Sequence, residues 1–254
     1  MSTANEQDVV LATHGLARSF GSRRVIEDLD LTVPKGRVYG FLGRNGAGKT
    51  TTIRCLLGIL KPSAGTIQLG ETTVRQTSTA MKRRIGYVSQ HQHFYDWMRC
   101  DRIGKFVGAF YPTWDHAEYR DLLERLGVER KQRVGELSGG TRMKLAMALA
   151  LAHRPELLIL DEPTAGVDPV ARAEILDTLR DEVQNNGRTV FFSTHHLFEV
   201  EQIGDVVGVL HEGKLFYEGP LPGLADAARA VHPELPASAS LEEAFVAVAR
   251  STSA

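Results

Sequence analysis

The apolar positions of this 254-residue chain come in short dense runs broken by turn residues, and the runs differ in kind along its length. Over residues 9–31 the pattern is strand-like, with a turn at Gly21-Ser22 and a second at Pro34-Lys35-Gly36. Val38-Tyr39-Gly40-Phe41-Leu42 predicts a buried strand, and residues 51–60 predict a helix soon after it. Residues 66–69 and 85–88 suggest a second strand pair. From about residue 97 to 152 the period is mostly helical. There Leu122, Leu123 and Leu126 mark the buried face of a helix over 115–126, with Gly127 as its stop. Residues 157–160 and 189–193 are continuous apolar strands flanking a helix over about 170–183. A strand with one solvated face alternates, so uninterrupted runs belong in a parallel sheet covered on both faces. After Gly219 the chain turns rich in Ala and Pro, and residues 241–250 predict one last amphipathic helix. No internal repeat is visible, and the pattern is α/β.

Composition narrows the picture by exclusion. The length suits one large domain, or one domain and an appendage. A net charge of −1 and a pI near 6.8 give no electrostatic case for nucleic acid or for an anionic membrane surface. Cys55 and Cys100 offer neither a disulfide framework nor zinc-ligand spacing, which suits the cytosol. Residues 1–8 are polar and hold no apolar signal core. The longest apolar run, 145–151 with its neighbouring alanines, falls far short of the roughly 18 residues of a spanning helix. The chain is not expected to cross a membrane by itself.

The chemistry is concentrated at strand ends. Gly43-Arg44-Asn45-Gly46-Ala47-Gly48-Lys49-Thr50 fits the phosphate-binding loop pattern G-x-x-x-x-G-K-[ST] between a strand and a helix. Its glycines let backbone N–H groups line a concave anion site at the helix N-terminus. Lys49 would reach the β- and γ-phosphates, and the Thr50 hydroxyl would ligate Mg²⁺. Asp161 and Glu162 end an apolar strand, whose alternation would send them to opposite sides. Asp161 is expected to hold Mg²⁺ and Glu162 to polarise an attacking water. Ser138 is a natural N-cap for the helix-forming run after it, and Gly139 and Gly140 leave bare N–H groups there, a second anion site. His195-His196 and His91-Gln92-His93 have no Cys, Asp or Glu partner at ligand spacing and carry no metal expectation.

Taken in order, these segments resemble the ATP-binding cassette (ABC) ATPases over about residues 9–217. The resemblance implies a P-loop NTPase of the ABC type: a RecA-like mixed or parallel sheet core, an antiparallel β-subdomain and a helical signature subdomain. It divides the chain into an ATPase domain over 1–219, its helical subdomain at about 91–152, and a short C-terminal extension over 220–254. Phe20 fits the aromatic that stacks on adenine. Gly43, Asn45, Gly46, Gly48, Lys49, Thr50 and Thr51 fit the phosphate loop. Gln90 looks like the glutamine that contacts Mg²⁺ and the attacking water, so Thr50, Gln90 and Asp161 form the implied metal set. Leu137-Ser138-Gly139-Gly140-Thr141 resembles the signature sequence. Ala165-Gly166-Val167-Asp168 looks like the loop linking two active sites, and His195 like the switch histidine. Glu162, His195 and Gln90 are thus the implied catalytic residues, and ATP and Mg²⁺ the implied cofactors. Thr141 stands where the family usually has glutamine, and Ala165 where serine is usual; neither change removes a catalytic group.

In this family the site is split, with the phosphate loop of one subunit facing the signature of another. One loop and one signature per chain therefore imply a homodimer in the ATP-bound state. Residues 110–115 and 241–245 look like small bacterial exporters of the ABC-2 type. That implies a separate integral-membrane permease and a peripheral place on the inner face of the cell membrane. The alternative is a soluble ABC ATPase, in cofactor assembly above all. DNA repair and translation are disfavoured by the missing basic stripe, coiled-coil insertion and second cassette. Residues 91–98 set three aromatics and a methionine beside Gln90, either as core of the helical subdomain or as a docking groove for the permease.

Overall fold

The structure, a computed structural model, describes residues 8–250. Two sheets frame it. β1 (Val9–Phe20) and β2 (Arg23–Pro34) form a long antiparallel ribbon; β4 (Ala64–Leu69) pairs with the other edge of β1, and β5 (Thr72–Val74) with β4. The second sheet contains β3 (Val38–Leu42), β6 (Ile85–Val88), β7 (Leu157–Asp161), β8 (Thr189–Thr194), β9 (Val206–His211) and β10 (Lys214–Gly219). Its order is β10-β9-β3-β8-β7-β6. β3, β6, β7, β8 and β9 run parallel, and β10 runs against β9.

β3, β7 and β8 are buried at every position, which is why their sequences do not alternate. Their two faces serve separate cores. Tyr39, Phe41, Ile159 and Phe191 point toward the antiparallel sheet and α1 (Lys49–Leu56), with the Tyr39 and Phe191 rings stacked at 5.2 Å. Leu42, Leu158, Leu160 and Phe192 face the other way, toward helices. Those helices include α3 (Cys100–Gly108), α4 (His116–Arg125) and α5 (Gly139–Leu151), while α2 (Thr79–Lys82) is a single turn before β6. After β7 come α6 (Pro169–Gln184) and α7 (Leu197–Ile203), and after β10 come α8 (Gly223–Val231) and α9 (Leu241–Arg250). Local signals set the helix starts. Asp115 accepts from the Ala117 and Glu118 amides at 2.8 and 3.1 Å, and Asp168 caps α6 ahead of Pro169.

The sequence reading departs from this in three places. Residues 66–69 and 85–88 are strands but not a pair: β4 belongs to the antiparallel sheet and β6 lies beside β7. Residues 66–69 alternate polar and apolar, as suits the antiparallel sheet, whereas 85–88 do not alternate and lie in the parallel one. The helix expected over 51–60 is α1, which starts two residues earlier and stops at Leu56. α8 was not anticipated, because the Ala- and Pro-rich composition after Gly219 hid its short apolar face; Leu224 and Ala228 are buried.

His153, just past α5, is buried, with Nε2 3.2 Å from the Ile85 carbonyl and its ring 4.1 Å from that of Tyr111. Burial lowers its pKa from 6.5 to about 4. The unfolded chain takes up a proton here below about pH 6.5, and the folded chain only near pH 4. Stability is therefore expected to fall as pH drops through that window, by up to about 3 kcal/mol from this group. Denaturant midpoints measured from pH 7 to 4 will show the slope, and His153→Gln will flatten it.

Candidate active site

The phosphate loop follows β3 and is anchored where it begins, the Gly43 amide donating to the Thr194 carbonyl at 3.1 Å. Gly48 sits at φ +112°, and a Cβ there would lie 2.9 Å from the Val25 carbonyl oxygen, so only glycine fits. No side chain caps α1, which leaves its first N–H groups for an anion. Lys49 is buried: Nζ donates to the carbonyls of Gly43 at 2.7 Å and Arg44 at 3.2 Å, and lies 3.1 Å from Glu162 Oε1. The Arg44 side chain turns away and donates to the Ala249 carbonyl at 2.8 Å, tying the loop to the end of α9.

Asp161 closes β7 with Oδ1 accepting from Thr50 Oγ1 at 3.2 Å and from Ser193 Oγ at 2.8 Å. Glu162 lies just past the strand at φ +46°, its amide donating to Ser193 Oγ at 3.0 Å. This corrects the expectation from strand alternation: a left-handed backbone turn separates the two carboxylates, at a cost of about 1–2 kcal/mol. Gln90 Nε2 donates to Glu162 Oε2 at 3.3 Å. His195 Nδ1 is 3.3 Å from the same oxygen but out of line for a hydrogen bond. The His196 ring is 3.9 Å from that of His195; burial first, then the neighbouring imidazole, lower the His196 pKa.

A cleft of about 550 Å³ gathers Phe20, Asn45, Gly46, Gly48, Lys49, Thr50, Thr51, Gln90 and Glu162. Phe20 is 46% exposed; the Arg18 guanidinium lies 4.5 Å over its ring and is held by the Lys61 carbonyl at 2.7 Å. Ser138 caps α5, accepting from the Thr141 amide at 3.2 Å. The Thr141 hydroxyl lies 2.9 Å from Ser138 Oγ, so it turns back onto the cap instead of outward. Ser138 and Gly139 are exposed, while Gly140 packs so close to α6 that a Cβ would meet Ala171 at 2.7 Å. Asp168 is exposed, and the amides of Ala171 and Val170 lower its pKa. Ser138, Gly139, Gly140 and Asp168 do not line the cleft that holds Lys49.

The sequence reading gave no role to Arg18, which lies over the Phe20 ring, to Arg44, or to Ser193 and Thr194, which bond Asp161, Glu162 and Gly43. A signal existed for two of them: Ser193 and Thr194 break the apolar run of β8 just before His195. Arg18 and Arg44 are held by carbonyls far along the chain, at Lys61 and Ala249, and left no local trace.

A parallel sheet whose strand ends carry a phosphate loop, an aspartate bonded to the loop threonine and a glutamate beside the loop lysine defines a phosphate-loop nucleotide hydrolase. The sequence profile described as ABC transporter matches residues 26–165. The chain is 38% identical over 217 residues to the bacitracin transport ATP-binding protein BcrA of Bacillus licheniformis, covering 85% of this chain and 71% of that protein. It is 36% identical over 217 residues to the daunorubicin resistance ATP-binding protein DrrA3 of Streptomyces coeruleorubidus, covering 84% and 68%. A solved structure of an ATP-binding subunit of an ABC transporter aligns at TM-score 0.81 and 27% identity over 95% of this chain and 100% of that one. The chain belongs to the ABC transporter family and is an ATPase of the cassette type. Among its described residues no helix is long and apolar enough to cross a membrane.

Gly48→Ala puts a Cβ against the Val25 carbonyl and a non-glycine residue at φ +112°. The strain of about 1–2 kcal/mol should weaken ATP binding by about tenfold, read by titration with a fluorescent ATP analogue.

Proposed function

We propose that this chain is the ATP-binding and hydrolysing subunit of an exporter, driving a separate membrane permease by ATP-driven closure of a homodimer. The observation that carries this reading is the exposure of Ser138 and Gly139 at a helix N-terminus outside the chain's own cleft. In a two-fold pair that helix end meets the γ-phosphate held by the partner's loop. Relatives described as transporting bacitracin or conferring daunorubicin resistance support export, and the soluble alternative is not favoured. We read residues 1–219 as the ATPase domain, 91–152 as its helical subdomain and 220–254 as an extension. The chain then works in the cytoplasm, peripheral to the inner face of the membrane.

In this mechanism Phe20 stacks on adenine with the ring face that Arg18 leaves free. Lys49 exchanges Glu162 for the β- and γ-phosphates, which releases the carboxylate to orient and deprotonate the attacking water. Gln90 donates to Glu162 Oε2 at 3.3 Å and holds that carboxylate, while His195, as close but not bonded to it, would serve the γ-phosphate. Asp168 joins the two half-sites across the dimer. A Thr hydroxyl, an Asp carboxylate and an amide oxygen suit Mg²⁺, and the 3.2 Å contact of Thr50 with Asp161 draws two of these donors to one spot. When bound by Thr50, Asp161 and Gln90, Mg²⁺ would neutralise charge on the β- and γ-oxygens.

For the permease, the supporting observation is a groove of about 360 Å³ behind Gln90, lined by His91, His93, Phe94 and Tyr111 among others. Tyr95 and Trp97 rise beside it, 54% and 71% exposed, with ring centroids 5.9 Å apart. Phe106 and Phe110 continue the exposed row, while Phe94 is half-buried. Contiguous exposed aromatics fit an amphipathic cytoplasmic helix of the permease.

Glu162→Gln should lose about a hundredfold or more of the hydrolysis rate, bind ATP at least as tightly as the wild type and trap an ATP-bound dimer on a sizing column. Lys49→Ala should instead lose binding itself. Wild-type turnover by purified Glu162→Gln would refute the assignment. Trp97→Ala or Tyr95→Ala should abolish export in cells while the isolated subunit still hydrolyses ATP; normal export by both variants would remove the docking site.

A further inference from the structure

Glu199 lies in the first turn of α7 and has no solvent exposure. A buried carboxylate is costly unless its oxygens are satisfied. Here two hydroxyls do so: Thr164 Oγ1 donates to Oε1 at 2.6 Å and Thr194 Oγ1 donates to Oε2 at 2.6 Å. The guanidinium of Arg172, on α6, adds a compensating charge with Nε 3.8 Å from Oε1. The two threonines are not arbitrary neighbours. Thr164 stands two residues after Glu162, and Thr194 directly precedes His195. Thr194 also accepts from the His196 amide at 3.0 Å through Oγ1, and its carbonyl accepts from Gly43 at 3.1 Å. One carboxylate therefore staples the segment leaving β7 to the end of β8, and through Thr194 to the start of the phosphate loop.

We propose that Glu199 is a positioning residue for ATP hydrolysis, fixing the Glu162 and His195 segments relative to each other and to the phosphate loop. It touches no reacting atom and acts through those two side chains; the inference rests on hydrolysis at Glu162. A carboxylate suits the role because both its oxygens accept, so it can take one short charge-assisted bond from each segment. An amide offers one acceptor oxygen and would leave one threonine to find another partner. A leucine would pack in its place but hold neither segment, and it would strip Arg172 of its countercharge.

The test compares Thr164→Val, Thr194→Val and Glu199→Gln in the full-length protein. The valines remove one bond each at nearly constant shape. ATP binding is read with a fluorescent analogue, and kcat and KM by phosphate release. Each variant should lose roughly 10- to 100-fold in kcat with KM for ATP little changed, because the binding groups of the cleft are untouched. Thr164→Ser and Thr194→Ser, which keep the hydroxyl, should recover most of what the valines lose. Glu199→Gln added to Glu162→Gln should cost clearly less than it does alone, since one of the two groups through which the staple acts is already disabled. Unchanged kcat in all three folded variants overturns the inference, as does a loss that multiplies in full with that of Glu162→Gln. A wild-type protein that binds ATP and never hydrolyses it overturns the underlying reading as well; an active wild type with equally active variants overturns the staple alone.

Discussion

The constraint on which this molecule depends is that four parallel strands end within two residues of one another. Leu42 pairs with Thr194, Ser193 with Asp161, and Leu160 with Val88, so β3 and β8 stop together, β7 one residue short of β8 and β6 one residue short of β7. Their next residues are Gly43, His195, Glu162 and Ser89-Gln90. Nothing about those polar residues sets the alignment. It comes from Phe41, Phe191, Phe192, Leu158 and Ile159, each fully buried on one face or the other, because a slip of one residue would turn every apolar side chain to the wrong core. The core thus works as a jig for chemistry carried one or two residues beyond it.

That division explains what could be read from the chain unaided. The phosphate loop, the Asp161-Glu162 pair and the Ser138 cap are local patterns whose meaning lies within a few residues, and each stands where its segment predicts. The strand partners of residues 66–69 and 85–88 were harder to read: the first run alternates and the second does not, but four residues give either period little length in which to show, and tertiary burial chooses the partner. The same holds for Glu162. Strand alternation does not reach Glu162, which leaves the strand at a positive φ with its amide bonded to the Ser193 hydroxyl of another strand. Glu199 and Arg44 were unreadable for a stronger reason. A glutamate in a helix and an arginine in a loop look like ordinary solvated residues until the fold brings Thr164 and Thr194 to one and the end of α9 to the other.

The two faces of the parallel sheet divide labour. The face carrying Tyr39 and Phe191 is sealed by the antiparallel sheet and α1, and leads to the cleft. The face carrying Leu158 and Phe192 is covered by α5 and by the last two helices, whose Leu224, Ala228, Ala244 and Val248 are buried in the same cluster. The helices behind Gln90 and the extension that meets Arg44 therefore share one continuous apolar interior. Close-packed interiors transmit displacement poorly by bending and readily by moving whole elements. Tyr95 and Trp97, in the loop between Gln90 and α3, and Phe106, on α3 itself, stand on the outer side of that interior.

The contact between Lys49 and Glu162 has one more consequence. The lysine already has an anion, 3.1 Å away and screened from water, so a polyphosphate enters this cleft as the rival of a resident carboxylate. Occupancy becomes an exchange of partners, and the affinity measured for any nucleotide is the difference between two associations. The carboxylate that Lys49 contacts here thus enters the balance for any polyphosphate the cleft admits.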